Sequence, residues 1–363
     1  MKPHSLINYN RNHGFSMVET AKQLTYFLAD KRLYLAVVFC LLSVGCTQNK
    51  EFPEPGTTKA IPHRIAPVIT KCGSVLDEAS LINKGWNILF EDNFGKGGIL
   101  LPPGAPNPTL DETKWTYWTS GAYNNELQYY QPANLTLGNS DVAGNLDLMI
   151  TAKEEHIEDG AISPYAGPTE VGDFEYTSGR IESIQTFRGS DYNKVRIYAR
   201  IKLPTAYGLW PAFWTLGVDG PNEQWPQNGE IDIMESKVDV LGNVPTEYQT
   251  NYFYGTSPGN NLVSGAEFEV GVADLTSCYH IFMVEWREEE LKYYFDELLI
   301  DTKTYDPDPL SSGHYIPELW DKEQRIVLSL AYGGDFLGNN FVPGAIAAGT
   351  GTMYVDWVKV FVK

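Results

Sequence analysis

The sequence predicts an all-β domain, a β-sandwich or jelly roll, over most of its 363 residues. Three observations predict it. Past residue 84, short runs of β-branched and aromatic residues are broken by Gly, Pro, Asn and Asp. Within the runs, apolar and polar residues alternate at period two, as half-buried strands do. Long helical periodicity is absent, and the runs are many, short and without an obvious internal repeat.

Taken in chain order, the first element is an address. Lys31 and Arg32 precede an apolar run of about 13 residues, Leu33 to Gly45. That run is too short for a helix to cross a bilayer core of about 30 Å and fits the apolar part of a signal peptide. It ends at Cys46 after Ser43-Val44-Gly45, which resembles a bacterial lipoprotein cleavage site. Leu42 stands one place further from Cys46 than the usual pattern has it. An ordinary signal peptide and a buried helix are the alternatives, and Met17 is a second candidate start. The expectation is a lipoprotein signal over 1–45 and acylation at Cys46. A tether over 46–83, marked by Pro53, Pro55, Pro62 and Pro67, would follow. The chain would be exported and held at a bacterial outer membrane, at the cell surface, by its lipid alone. Beyond Cys46 only Cys72 and Cys278 remain. A pair and two separate thiols are both open readings.

The body, 84–363, supplies the strands. Segments 145–153 (NLDLMITAK), 193–203 (NKVRIYARIKL), 279–286 (YHIFMVEW) and 353–362 (MYVDWVKVFV) carry the alternation. Segment 291–302 (LKYYFDELLIDT) reads as two strands turning at Asp296-Glu297. Segment 97–108 (GGILLPPGAPNP) is too rich in Pro and Gly for a strand and reads as a surface loop. The formal charge of −19 repels phosphate backbones and excludes nucleic acid as a partner. Nine Trp and 22 Tyr either fill the sheets or line a cleft where flat rings stack on sugars. His63, His156, His280 and His314 are scattered without metal-ligand spacing, and His280 reads as structural.

The chemistry concentrates in 225–236 (WPQNGEIDIMES). Glu230 and Asp232 are two apart and share one strand face; Ile231 and Ile233 share the other. Glu235 breaks the alternation. One extra residue in a β-bulge returns it to the face of the other two acids. Three carboxylates on one face raise one another's pKa, which a purely structural strand would avoid. Glycoside cleavage uses that arrangement, with one carboxylate ionised to attack C1 and one protonated to donate to the leaving oxygen. Carboxyl groups about 5–5.5 Å apart go with retention. Positions five apart on a bulged strand are expected to span about that distance, so retention is predicted. A solvated acidic edge strand and a calcium site are the alternatives, although calcium prefers acids on a wrapping loop.

Segment 229–235 (GEIDIME) resembles the signature of glycoside hydrolase family 16, in the form found in laminarinase-like β-1,3-glucanases and their mixed-linkage relatives. The resemblance runs from about Trp86 to the C-terminus. It includes LFEDNF (89–94), KWTYW (114–118), NNELQYY (124–130), TSGRI (177–181), ARIKLP (199–204), GLWPAFW (208–214), VEW (284–286) and LAYGGDF (330–336). It implies a concanavalin-like β-jelly roll with a concave open cleft, and retaining endo-hydrolysis of a β-1,3- or mixed-linkage β-glucan by a monomer that needs no cofactor. By position, Glu230 resembles the nucleophile, Glu235 the acid/base and Asp232 the assisting carboxylate. Trp214 and Trp225 match positions that pack on sugar rings, and Asn125 matches a polar contact on the glycone side. Asn124 reads equally as a turn residue. Trp210 is a further substrate-binding candidate, although Trp210 and Trp286 read equally as core.

Several positions depart from the pattern. Phe253 stands where many members have His. Ser329 and Asp335 stand where Asn is common, and Phe336 where Trp is. These changes leave the chemistry intact and the glucan open. Some members bind a structural calcium through acids near both termini. Asp356 keeps that possibility, and Asn93, where an acid is usual, weakens it. Other activities of the same scaffold are agar-type galactan hydrolysis and transglycosylation. A non-catalytic glycan-binding lipoprotein and a structural envelope protein are the alternatives from other classes.

Overall fold

The computed structural model describes residues 63–65, 72–95, 110–121, 123–139, 146–162, 170–220, 224–239, 245–255, 261–269 and 275–363. The expected signal, Cys46, most of the tether and the loop expected at 97–108 lie outside them.

In chain order the elements begin with β1 (His63–Ile65), helix α1 (Glu78–Asn83), β2 (Asn87–Asp92), β3 (Trp115–Tyr117), β4 (Gln128–Tyr130), β5 (Leu135–Asn139), β6 (Leu146–Thr151) and β7 (Lys153–Ala161). Next come β8 (Val171–Ser178), β9 (Arg180–Ser183), β10 (Phe187–Arg188), β11 (Val195–Lys202), β12 (Leu209–Gly217), β13 (Glu230–Glu235) and β14 (Glu247–Gly255). The chain closes with β15 (Asn261–Glu269), β16 (His280–Arg287), β17 (Glu290–Phe295), β18 (Leu298–Thr304), helix α2 (Ile316–Trp320), β19 (Glu323–Tyr332) and β20 (Thr352–Val362). The four strand segments named from the sequence are β6, β11, β16 and β20. The turn at Asp296-Glu297 joins β17 to β18 with both residues at positive φ, 46° and 68°, as a tight two-residue hairpin turn requires.

The fold is an antiparallel jelly-roll sandwich. One sheet has nine strands, ordered β1-β15-β14-β13-β12-β19-β9-β3, with β10 also on β19. The other has eight, ordered β18-β17-β16-β11-β20-β6-β5, with β2 also on β20. A three-stranded sheet, β4-β8-β7, flanks them. Alternation puts Phe213, Ile231, Ile233, Tyr252 and Leu328 of the nine-stranded sheet against Ile197, Phe282, Val284 and Val358 of the other, all fully buried. Burial of such side chains is worth roughly 1.5–3 kcal/mol each.

A second cluster lies on the outer face of the eight-stranded sheet. Leu76, Leu81 and Trp86 pack there on Tyr198, Ile281, Met283, Trp357 and Phe361. Asp77 caps α1 by accepting from the Ser80 N–H at 2.9 Å. This corrects the tether boundary expected at residue 84. Residues 72–83 belong to the folded body, tied by this cluster and by a disulfide between Cys72 and Cys278. Within the remaining stretch, β1 pairs in parallel with β15.

Candidate active site

The bulge expected in the acidic strand is present. Against β12, Glu230 faces Leu216, Asp232 faces Trp214 and Glu235 faces Ala212. The partners are two apart each time, although Asp232 and Glu235 are three apart. The register shifts there against both neighbours, β12 and β14. All three acids therefore share the outer face, and Ile231, Ile233 and Met234 fill the core. The backbone positions of Glu230 and Glu235 lie roughly 13 Å apart at about 3.3 Å per residue over four partner positions. The 5–5.5 Å spacing expected of the strand is thus not set by the backbone. The side chains must lean toward one another to reach it.

Indole and amide donors hold these acids. Trp225 Nε1 donates to Glu230 Oε2 at 2.9 Å. Trp210 Nε1 donates to Glu235 Oε1 at 3.1 Å, and Asn251 Nδ2 donates to Glu235 Oε2 at 2.7 Å. Burial, then the charge of Glu235, pushes Glu230 up to about 8, opposed by bonds from Trp225 and Asp232. Burial, then the charges of Glu235 and Glu230, drives Asp232 well above the usual carboxylate range. Burial pushes Glu235 up to about 7 against the Asn251 and Trp210 bonds. The bond between Asp232 and Glu230 lowers Glu230 and raises Asp232. The proton of that pair thus belongs on Asp232, with Glu230 as its acceptor.

The structure also places the other sequence candidates. Trp214, between Asp232 and Val327 in the sheet, donates from Nε1 to Ser329 Oγ at 3.1 Å. Trp210 stacks on Phe336, centroids 4.4 Å apart. Phe253 sits opposite Glu230 with its ring 5.9 Å from that of Trp225. Asn125 is not among the groups on the acids. It is exposed and donates from Nδ2 to both Asp335 oxygens at 3.0 and 3.1 Å. Trp286 is core, packed edge-on against Trp320.

Asp356 Oδ2 accepts from Arg200 Nη1 at 2.7 Å. Among the described residues no group of three His, Cys, Asp or Glu is placed to hold a metal.

Two site features were not read from the sequence. Arg180 lies over the Trp118 ring at 4.1 Å and the Trp214 ring at 4.8 Å, while its Nη2 pairs with Glu182 at 2.7 Å. Glu126 accepts from Gln128 Nε2 at 2.7 Å and is pushed up to about 7 by burial. Both lie in segments singled out only for their resemblance, TSGRI and NNELQYY, and alternation gave no sign of the contacts.

The family profile of glycosyl hydrolases family 16 matches residues 113–359, well over half of the chain. The chain belongs to family 16. It is a glycoside hydrolase, and the three acids lie inside the matched span. A β-glucanase of Rhodothermus marinus is 29% identical over 309 residues, covering 81% of this chain and 91% of the relative. The solved endo-β-1,3-glucanase of Pyrococcus furiosus superposes with a TM-score of 0.54 at 29% identity, covering 76% of this chain and 94% of that one. A family 16 endo-glucanase of Bacteroides ovatus, solved in complex with G4G3G-2F-DNP, superposes with a TM-score of 0.54 at 28% identity, covering 75% and 100%. The sandwich described above is the family 16 fold of these neighbours.

Proposed function

We propose that this family 16 enzyme is an endo-acting, retaining β-glucanase cutting β-1,3- or mixed-linkage β-1,3(1,4)-glucan. The observation that carries the reading is the bulge that returns Glu235 to the face of Glu230 and Asp232. Glu230 is the nucleophile, because it accepts from both Trp225 and Asp232. Its oxygen attacks C1 while Glu235 gives its proton to the leaving glycosidic oxygen. A covalent glycosyl ester forms on Glu230. Glu235, now ionised, takes a proton from water, which attacks C1 and frees Glu230 with the configuration retained. Asp232 keeps its proton and donates to Glu230 as charge rises and falls there. Trp214, Trp225 and Trp210 offer indole surface beside the acids, suited to the C–H faces of pyranose rings. The named activities of the Rhodothermus, Pyrococcus and Bacteroides relatives support a β-glucan.

Lys31-Arg32, the apolar run and Cys46 support export, with a lipid on Cys46 holding a monomer at a bacterial surface. Metabolic labelling with a clickable fatty acid tests the anchor; label persisting in Cys46→Ala would count against it.

Reducing-sugar release and product sizing on laminarin, barley mixed-linkage glucan and agarose test the activity, with NMR of the first-formed anomer testing retention. Oligomeric products with the β-anomer first are expected from one or both glucans. Release from agarose alone would replace glucan by galactan. Binding to glucan without turnover would make the chain a glycan-binding protein.

A further inference from the structure

At the start of β16, in the eight-stranded sheet, a sulfur meets an imidazole and a carboxylate. Cys72 and Cys278 are joined across 206 residues. Cys72 is exposed and Cys278 half-buried. His280, fully buried at the start of β16, points its Nε2 at Cys278 Sγ from 3.6 Å. Its Nδ1 meets Asp296 Oδ2 at 2.8 Å. The other oxygen, Oδ1, accepts the Ile281 N–H at 2.9 Å, so the carboxylate is fixed from both sides. Phe295 lies on the ring, centroids 4.9 Å apart and planes 27° from parallel. The nearby Tyr248 of β14 feels the charges of Asp296 and of Asp301. Packing would account for a buried His–Asp pair. It does not account for the second ring nitrogen being aimed at a sulfur.

We propose that Cys72–Cys278 is a thiol–disulfide exchange site for low-molecular-weight thiols, in which Cys72 is attacked and Cys278 leaves as a thiolate held by His280 and Asp296. Attack lands on the sulfur that solvent can reach, and exchange is faster when the departing thiolate is stabilised. A neighbouring imidazolium is one of the groups that stabilise a thiolate, and Asp296 orients and neutralises that cation. An external thiolate forms a new S–S bond to Cys72 Sγ, and the electron pair of the broken bond goes to Cys278 Sγ. A second external thiolate attacks the sulfur of the first and releases Cys72. Two external thiols are oxidised to their disulfide, and the two protons they lose end on Cys72 and on the Cys278–His280 pair.

Reduced glutathione is the probe, applied to the full chain at pH 7, with the adduct located by peptide mass spectrometry. Glutathione on Cys72 is expected, with cleavage roughly tenfold faster than in His280→Gln. Glutathione on Cys278, or equal rates in the two proteins, overturns the proposal. His280 is packed in the core, so a second variant separates chemistry from folding. Cys72→Ala removes an exposed side chain, opens the disulfide and leaves a free Cys278 beside His280, with Leu76, Leu81 and Trp86 still packed on the sheet. Its thiolate absorbance at 240 nm is expected to be well developed at pH 7, where an ordinary thiol is only about 3% ionised. A Cys278 that titrates at about 8.5 or above overturns the proposal.

Discussion

Carboxylates are buried on the outward faces of both sheets, in two different settings. On the eight-stranded sheet, Glu285 lies between Arg196, whose Nε is 2.6 Å away, and Arg287, and its pKa is lowered by their bonds and charges despite burial. On the nine-stranded sheet, Glu230, Asp232 and Glu235 meet indoles, an amide and one another, and all three are raised, by burial first. Arg180 is close by, but Glu182 and two Trp rings hold it. Burial is common to both settings; contact with a cation separates them. Glu285 is settled by ion pairs. The three acids of β13 keep protons in play near neutral pH, as proton transfer to a leaving group demands.

The sharpest way to break this contrast is Glu230→Gln. Turnover should fall at least about a thousandfold, while laminarin still retards the protein in affinity electrophoresis. Residual activity above about one per cent would remove Glu230 from the nucleophile's role. Next comes Glu235→Ala, with losses of about a hundredfold to ten-thousandfold on polysaccharide and far smaller ones on aryl glycosides with good leaving groups. Equal losses on both substrates would count against the acid role. Trp225→Phe keeps an aromatic face and deletes the donor to Glu230. The acid limb of the kcat/KM profile should move to higher pH and the rate at pH 6 should drop by roughly tenfold. An unmoved limb would mean that the bond does not tune Glu230.

The smallest effects concern stability and have opposite signs. The folded pKa of Glu235 is raised to about 7 from 4.5, so the folded state binds more protons than the unfolded one between those values, and stability is lost as pH rises through that window. Glu235→Gln should therefore raise the melting temperature at pH 8, by an amount worth about 1–3 kcal/mol, and change little at pH 4. Glu285 is lowered, so its contribution is present above its unfolded pKa and lost as pH falls through its folded one. Glu285→Gln should cost roughly 1–3 kcal/mol at pH 7 and progressively less in acid. Melting curves of both variants at the two pH values decide it; shifts of the same sign at pH 8 would erase the contrast.

What could be read from the sequence was what depends on neighbours in the chain. Period-two alternation marked β6, β11, β16 and β20, and one odd interval marked the bulge before Glu235. The Asp296-Glu297 turn was visible for the same reason. Contacts between distant residues were not visible. Asn251 reaches Glu235 from the next strand, and Arg180 reaches Trp214 across β19. Residues 72–83 read as tether because the stretch before them is rich in Pro and poor in large apolar residues; Leu76, Leu81, the disulfide and the bond from Lys359 Nζ to Glu78 Oε1 tie them down. Alternation reports which face a side chain takes, and pairing reports whom it meets there.

The nine-stranded sheet ends on both sides in three-residue strands, β1 and β3. An open margin with a long row of free amides and carbonyls invites a strand from another molecule, and fibrous aggregation can follow. The β3 margin is too short to copy, whereas on the other side β1 covers only Glu267–Glu269 of β15. Copies that meet along the β3 side could crowd together without their sheets fusing into one ribbon.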